Sequence, residues 1–280
     1  MSLLQTAIIY SAPSLEIITS PWLTGPELGA LARASSADWL RSLPPAALQH
    51  PVSLEILSGG RYYYVADAVA DVTGTKATVA SLRAKRQGHG TDWSVRIWDR
   101  AGADLAGASA VLIGDTIATG TTLAGVLKHV ADELRGQGCP TVPVFVFAIA
   151  GAQAAQAALA QAAAALAEQG SSLHLTYANA ELHLADDGTD LKLVGPTSKW
   201  DARAASELPL RLLGPDVCDD AAAAAAAAAE LKCACFDWGD RFSEPKRHLE
   251  DVRRWMDTLT NGAPAPLLAG MAAAEEALGP

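Results

Sequence analysis

The residues best suited to chemistry lie between positions 114 and 123, where the sequence reads Gly-Asp-Thr-Ile-Ala-Thr-Gly-Thr-Thr-Leu. Asp115 follows an apolar run, and small residues lead from it into a stretch with helical spacing. Small residues let backbone N–H groups converge on one anion, and a following helix adds unpaired N–H groups and a positive dipole end. The stretch predicts a phosphate-binding loop beside an acid that can accept hydrogen bonds from sugar hydroxyls. Its predicted phosphate contacts are Ala118, Thr119, Gly120, Thr121 and Thr122.

This loop differs from two common nucleotide-binding motifs. A Walker A loop needs Gly-Lys-Ser/Thr, and a dinucleotide-binding fingerprint needs three spaced glycines. The alternative interpretation is an ordinary strand-to-helix turn rich in threonine and glycine. An acid followed by Ala-Thr-Gly-Thr-Thr at the end of a buried strand favours the phosphate loop.

Two other segments concentrate groups that bind anions. Ser58-Gly59-Gly60-Arg61 follows an apolar run and forms either a second nest of N–H groups or a plain tight turn with a solvated arginine. Arg83, Lys85 and Arg86 open a charged, Gly-rich loop expected from position 83 to 92. Mobile cations there stabilise negative charge that develops in a transition state, and a solvated hairpin end is the alternative.

The cysteines and histidines give weaker signals. Four cysteines (Cys139, Cys218, Cys233 and Cys235) are too few for a disulfide scaffold in 280 residues. Cys233-Ala-Cys235 has no second pair nearby, so thiols are favoured over a zinc site, and no metal-ligating residue is assigned. His174 and His183 fall in predicted strands without a nucleophile and carboxylate in register, which favours a structural role.

Composition excludes several classes of protein. Half of the 280 residues are hydrophobic, which suits a globular core rather than a disordered chain. The net charge of −10 argues against general nucleic-acid binding, because an acidic surface repels phosphate. The first residues lack the basic segment of a signal peptide, and the longest apolar region is alanine-rich and broken by glutamines. We therefore expect a soluble, cytoplasmic protein with neither a nucleic-acid nor a membrane partner.

The elements that must position these residues alternate between buried strands and amphipathic helices. Strands are predicted at 52–57, 77–82, 94–98, 110–114 and 142–148, with helices at 61–72, 122–134 and 153–168. This alternation predicts an α/β fold, a mostly parallel sheet with helices on both faces. Short runs at 173–177, 181–184 and 191–194 suggest an added hairpin. Residues 1–50 are expected to be a helical, peripheral region, 51–195 the core, and 196–280 a C-terminal hood or helical extension that includes the alanine run 221–229.

The phosphate loop resembles the 5-phosphoribosyl-1-pyrophosphate (PRPP) signature of the type I phosphoribosyltransferases. That signature is an apolar strand, two acids or an acid and a neighbour, and then Ala-Thr-Gly-Gly-Thr. Leu57-Ser58-Gly59-Gly60-Arg61 stands where the family keeps its pyrophosphate loop. Residues 77–86, with the Gly-rich loop that follows them, are similar to the strand and flexible hood of the family. The order and spacing look closest to the uracil phosphoribosyltransferase branch. Asp237-Trp238-Gly239-Asp240-Arg241 is similar to the C-terminal base-site motif of that branch.

The resemblance implies a transferase of the Rossmann-like phosphoribosyltransferase fold, which moves a phosphoribosyl group from PRPP to a pyrimidine-like nitrogenous base and releases pyrophosphate. Residues 118–122 would hold the 5-phosphate and Asp115 the ribose, and Arg83 and Arg86 would act on the leaving group. Mg²⁺ carried by the pyrophosphate is the implied cofactor, and a homodimer is common in the family. The implied pyrophosphate contacts are Ser58, Gly59, Gly60, Arg61 and Lys85, and the implied base contacts are Asp237, Gly239, Asp240 and Arg241.

Three positions depart from the family pattern. Gly114 replaces the first acid, Thr121 replaces the second glycine, and Ser58 replaces the arginine that opens the pyrophosphate loop of the uracil enzymes. Backbone amides can hold phosphate without these side chains, whereas ribose and pyrophosphate depend on them. Two alternatives therefore stay open, a catalytically silent regulator that binds PRPP or a nucleotide, and cleavage of an N-glycosidic bond on the same fold.

Overall fold

A seven-stranded sheet forms the centre of the molecule, with strands in the order β1-β7-β6-β5-β2-β3-β4. The computed structural model describes residues 3–57, 59–89, 92–105, 107–138, 141–186, 190–214, 238–259 and 262–279. All neighbouring strands are parallel except β3 and β4. The strands are β1 (Leu4–Ile9), β2 (Val52–Leu57), β3 (Thr78–His89), β4 (Asp92–Gly102), β5 (Val111–Gly114), β6 (Val144–Ala148) and β7 (Leu173–Ala178). The predicted α/β fold with a mostly parallel sheet is confirmed.

Two hydrophobic cores, one on each face of the sheet, explain why the central strands read as continuous apolar runs. Every residue of β5 and β6 is buried, and alternate side chains enter opposite cores. On one face Trp39 stacks on Phe147 at 5.1 Å between ring centroids, and on the other lie the two helices that follow β5 and β6. The helices are α1 (Ala12–Thr19), α2 (Gly25–Arg41), α3 (Val65–Thr73), α4 (Thr121–Gly136), α5 (Gln156–Ala167), α6 (Ala202–Leu213), α7 (Asp240–Ser243), α8 (Pro245–Met256) and α9 (Ala265–Leu278).

The N-terminal segment is neither purely helical nor peripheral, which corrects one expectation. Its residues 4–9 form β1, which pairs in parallel with β7 at the edge of the sheet. Trp39 and Leu40 of α2 are fully buried in the core. The sequence pattern misled because none of the six residues of β1 is fully buried, so β1 lacks the apolar run of a central strand.

The expected charged loop at 83–92 is instead part of a long β-hairpin. Strand β3 continues through Arg83, Lys85 and Arg86 to residue 89, and β4 returns antiparallel to it. Much of this hairpin is exposed, so its polar residues do not show the pattern of a buried strand. The hairpin brings its cations to defined faces, which a loop would not do.

Of the three short runs after β6, two contribute to the expected hairpin and one joins the main sheet. Residues 173–178 form the interior strand β7, while His183–Leu184 and Leu191–Lys192 pair antiparallel as β9 and β10. Ala180–Glu181 and Lys199–Trp200 form the pair β8 and β11. Ser58, Asp237, the alanine run at 221–229 and all four cysteines lie outside the described residues.

None of the helices in the described part of the chain is both long and apolar enough to cross a membrane. The division of the chain at residues 50 and 195 stays a prediction. The sheet, however, extends across the first of these boundaries through β1.

Candidate functional site

The loops that follow β2 and β5 meet at the point where the strand order reverses. From β2 the chain passes to β3 on one side, and from β5 it passes to β6 on the other. In open parallel sheets, ligands bind outside the carboxyl ends of strands at such a switch point. The turn Gly59–Tyr63 after β2 and the loop 115–120 after β5 therefore stand at the expected place for a ligand.

The loop after β5 is held by backbone hydrogen bonds to the end of β6 and to the residues that follow it. The Asp115 N–H donates to Phe147 O at 3.0 Å, and the Ile117 N–H donates to Ala150 O at 3.0 Å. Gly120, with a φ of +74°, ends the loop, and an added Cβ would lie 2.8 Å from the Cβ of Ala155. A glycine is required here both by the left-handed backbone and by this close approach.

Residues 118–122 leave their amide N–H groups available at the amino end of α4. Among the hydrogen bonds of the described residues, none has an N–H of this segment as its donor. The segment lines a small open cavity of about 100 Å³. The other lining residues are Arg86, Asp115, Thr116, Ile117 and Leu123. Free amides and a helix dipole favour an anion in this cavity.

The Asp115 carboxyl is held at the wall of the same cavity. Its Oδ1 accepts the Thr116 N–H at 2.9 Å. Burial raises the pKa of Asp115 to about 7, because desolvation outweighs this hydrogen bond. Near neutral pH the group therefore exchanges between a carboxyl that donates and a carboxylate that accepts hydrogen bonds.

The β-hairpin sends its cations to two faces. Arg86 pairs across the ladder with Val95, and the Val95 side chain packs so closely on α4 that a Cβ on Gly125 would lie 2.6 Å from it. Directly paired residues share a face, which explains why Arg86 lines the phosphate cavity. Arg83 and Lys85 occupy the alternate positions of β3 and point to the opposite face.

On that opposite face lies a second and larger cavity of about 340 Å³. It is lined by Leu57, Arg61, Arg83, Ala84, Lys85 and Trp98. Arg83 lies 3.6 Å from Asp99 in an exposed ion pair. Burial raises the pKa of the Glu55 carboxyl, and the positive charge of Arg61 offsets part of this rise. The structure thus brings Arg61 and two hairpin cations to one cavity. Trp98 at its wall was not among the predicted site residues, because its place opposite Arg83 depends on the hairpin register.

Tyr63 joins the two loops and was also missed. Its hydroxyl lies 3.0 Å from Thr116 Oγ1, and its ring is fully buried. A Cβ added to Gly114 would lie 2.5 Å from the Cβ and Cγ of Tyr63. The ring therefore fills the space that a first acid at position 114 would need. The sequence shows the glycine at position 114, but only the tertiary structure shows that Tyr63 packs against it.

The C-terminal segment covers the turn after β2 with aromatic contacts. Phe242 stacks on Tyr62 at 4.3 Å between centroids, and Trp238 lies 5.4 Å from Tyr63. A Cβ on Gly59 would lie 3.8 Å from the Trp238 ring. Gly239 and Asp240 lie between these two aromatic residues in the chain, and the Asp240 carboxylate is 3.7 Å from the Arg247 guanidinium. The expected base-site segment therefore reaches the neighbourhood of the site.

Arg241 itself does not face a ligand cavity, which corrects its expected role as a base contact. It is fully buried, and its guanidinium donates to the backbone carbonyls of Leu23 (2.9 Å), Ser20 (2.8 Å) and Ile17 (3.4 Å). A planar five-donor group suits several carbonyls at a helix end. Arg241 fastens the C-terminal segment to the end of α1.

The described residues contain no group of three or more His, Cys, Asp or Glu side chains close enough to hold a metal ion. Asp115 is the one carboxylate lining the phosphate cavity within the described part of the chain. Mg²⁺ that arrives with a phosphorylated ligand would be held by the phosphate and sugar oxygens of that ligand, which suit a hard cation, and would need no cluster of protein ligands here.

Comparisons with known proteins give weak similarities. No family model matches the chain, and no curated protein matches it in sequence. The AQ2163 protein from Aquifex aeolicus superposes with a TM-score of 0.43 at 15% identity, over 65% of this chain and 95% of that one. A hypoxanthine phosphoribosyltransferase from Staphylococcus aureus gives 0.29 at 20% identity, over 48% of this chain and 64% of that one. A hypothetical protein from Neisseria gonorrhoeae with bound ppGpp gives 0.28 at 13%, over 51% and 72%. At these identities and TM-scores, function must be inferred from the site itself.

Proposed function

We propose that this protein is a phosphoribosyltransferase that takes PRPP as donor and a pyrimidine-like nitrogenous base as acceptor, and releases pyrophosphate. The observation that carries the proposal is the pair of cavities beside the loops that follow β5 and β2. One is lined by free amides, Asp115 and Arg86, and the other by Arg61, Arg83 and Lys85. PRPP has one phosphate and one pyrophosphate on a single sugar, so it matches two anion sites with an acid beside one of them.

In this proposal the 5-phosphate binds the amides of residues 118–122. The hydroxyls of Thr119 and Thr121, which lie 3.1 Å apart, add donors to the amides. The ionised Asp115 accepts hydrogen bonds from the ribose hydroxyls. These contacts hold the sugar while C1 exchanges its bond to oxygen for a bond to nitrogen. Because the reacting groups are positioned in advance, the activation barrier of this step is lower.

The leaving group is the second requirement. The bond between C1 and the pyrophosphate oxygen breaks with its electron pair on that oxygen, and a bond from C1 to the base nitrogen forms. The nitrogen then loses its proton to solvent or pyrophosphate. Arg61, Arg83 and Lys85, with the N–H groups of Gly59 and Gly60, stabilise the charge that develops on pyrophosphate. Mg²⁺ bound to the pyrophosphate would supply further neutralisation when present.

The experiment measures pyrophosphate release from PRPP and Mg²⁺ with a panel of pyrimidine and purine bases. Release that depends on one base supports the transferase, whereas free base produced from a nucleotide supports N-glycosidic cleavage. Arg86→Gln should lower the affinity for PRPP at least tenfold, because it removes the cation that lines the phosphate cavity. Lys76→Gln makes the same charge change at an exposed position just before β3 and serves as the control.

A second candidate function is a catalytically silent sensor of PRPP or a nucleotide. The Tyr63 ring favours it, since the ring occupies the space of the first acid and leaves Asp115 as the acid of the phosphate cavity. Tight binding of PRPP by calorimetry, with no pyrophosphate released for any base, would identify the sensor. Absence of both binding and release would remove both candidates.

A further inference from the structure

We propose that Tyr63 is a positioning residue of this site, which orients Asp115 through Thr116. The inference rests on the proposed function for the role that it gives Asp115. Tyr63 ends the turn Gly59–Tyr63 that carries Arg61. It therefore belongs to the loop after β2, whereas the two residues that it acts on belong to the loop after β5.

Two hydrogen bonds make the connection. The Tyr63 hydroxyl and Thr116 Oγ1 lie 3.0 Å apart, and the Thr116 N–H donates to Asp115 Oδ1 at 2.9 Å. Tyr63 is itself fixed, because its carbonyl accepts the Ser36 hydroxyl of α2 at 2.6 Å. The side chain and backbone of Thr116 are thus held between a rigid phenol and a carboxyl.

The ring and the hydroxyl of Tyr63 have separate tasks. The ring packs edge-on against Phe147 at 6.2 Å and lies beneath Gly114, and a phenylalanine would do the same. The hydroxyl adds the bond to Thr116 in a fully buried position. Burying a hydroxyl is unfavourable unless it is hydrogen-bonded, so the bond to Thr116 accounts for a tyrosine here.

Few charged side chains lie near the Asp115 carboxyl and could shift its pKa. Besides Asp115, the charged residue lining the cavity is Arg86, which comes from β3, while α4 contributes Thr121, Thr122 and Leu123. The turn after β2 contributes Arg61 to the neighbouring cavity, and the backbone after β6 approaches with the uncharged residues 149–152. A donor aimed at Oδ1 stabilises the ionised carboxylate. Loosening Thr116 should therefore favour the protonated form of Asp115.

The experiment titrates the Asp115 carboxyl carbon by NMR in ligand-free protein, with Asp115→Asn to assign the signal. Tyr63→Phe should raise the titration midpoint by ~0.5 unit, which corresponds to losing part of one hydrogen bond. Thr116→Val should raise it similarly, and the double variant no further, because both changes break the same link. Tyr62→Phe is the control, since Tyr62 packs on Phe242 rather than on the loop after β5.

Binding of ribose 5-phosphate gives a second readout. With a midpoint near 7, a rise of ~0.5 unit halves the ionised fraction at pH 7, so affinity should fall about twofold there and not at pH 9. An unchanged midpoint in Tyr63→Phe, or additive shifts in the double variant, would overturn the inference. If the midpoints shift as expected but the wild type binds no ribose 5-phosphate, the proposed function fails and the positioning role stands.

Discussion

The Tyr63 side chain fills the space beside Gly114 at the end of β5, since a Cβ on Gly114 would lie 2.5 Å from the Cβ and Cγ of Tyr63. The family that the sequence resembles keeps an acid at the position of Gly114. In this chain an acid there and the Tyr63 ring exclude each other. The departure at one position therefore follows from the residue at another.

Gly114→Ala should destabilise the protein by ~1–3 kcal/mol, because the methyl group overpacks a buried ring. Gly136→Ala at the exposed end of α4 meets nothing within 4 Å and should be neutral or slightly stabilising. Urea unfolding measures both changes. In the Tyr63→Gly background, which removes both the Cβ and the ring, Gly114→Ala should cost less, and equal costs in the two backgrounds would contradict the clash.

Gly120→Ala should weaken both the fold and anion binding. It places a side chain at a φ of +74° and 2.8 Å from the Ala155 Cβ. We expect a loss of ~2–4 kcal/mol in unfolding free energy and at least a tenfold loss of affinity for ribose 5-phosphate by calorimetry. Gly74→Ala is the matched control, because Gly74 has a φ of +77° with nothing within 4 Å. If both variants bind ribose 5-phosphate like the wild type, residues 118–122 do not form the phosphate site.

Asp115 should make stability fall as pH rises. Its pKa is raised from 3.8 to about 7 by burial, so between these values the folded state binds more protons than the unfolded state. Stability contributed by the protonated form is present below pH 4 and is lost on the way to pH 7, by about 1.4 kcal/mol per unit at most. Asp115→Asn should remove this dependence and be more stable than wild type above pH 7.

Denaturant unfolding at pH 5, 6, 7 and 8 measures the effect of Asp115. Asp71→Asn provides a control of opposite sign, because the hydrogen bond from Arg33 lowers the pKa of Asp71. That substitution should destabilise at neutral pH, with the effect fading in acid. A pH profile of Asp115→Asn parallel to that of the wild type would show that the Asp115 carboxyl is not the group responsible.

Arg241→Met should lower the unfolding free energy more than a substitution of any exposed arginine. It should have no direct effect on ligand affinity. The substitution leaves the buried carbonyls of Leu23, Ser20 and Ile17 without the donor that reaches them. We expect a cost of at least ~3 kcal/mol, because each buried acceptor left unsatisfied costs ~1–3 kcal/mol. Arg247→Ala, which removes exposed ion pairs to Asp240 and Glu244, should change the unfolding free energy far less, because solvent screens exposed ion pairs. A base-specific loss of affinity in stable Arg241→Met protein would restore the base-contact hypothesis.

Local sequence patterns determined the parallel core of this protein. Strand β2 (Val52–Leu57) and the strand-loop-helix unit around Asp115 follow from runs of apolar residues, small residues and helical spacing. Burial on both sheet faces leaves a strong local signal, and the loop needs only backbone amides. For these reasons the phosphate loop was predictable without knowledge of the rest of the chain.

Contacts between distant segments decided the remainder. Strand β1 pairs with β7 more than 160 positions away in the register Leu4 with Leu173. Arg241 reaches carbonyls 218 to 224 positions earlier, and Tyr63 finds its partner Thr116 53 positions later. The β3–β4 register likewise decides which cations face which cavity. No local pattern encodes these relationships, because each depends on how strands and loops are brought together in space, and only the tertiary structure fixes that.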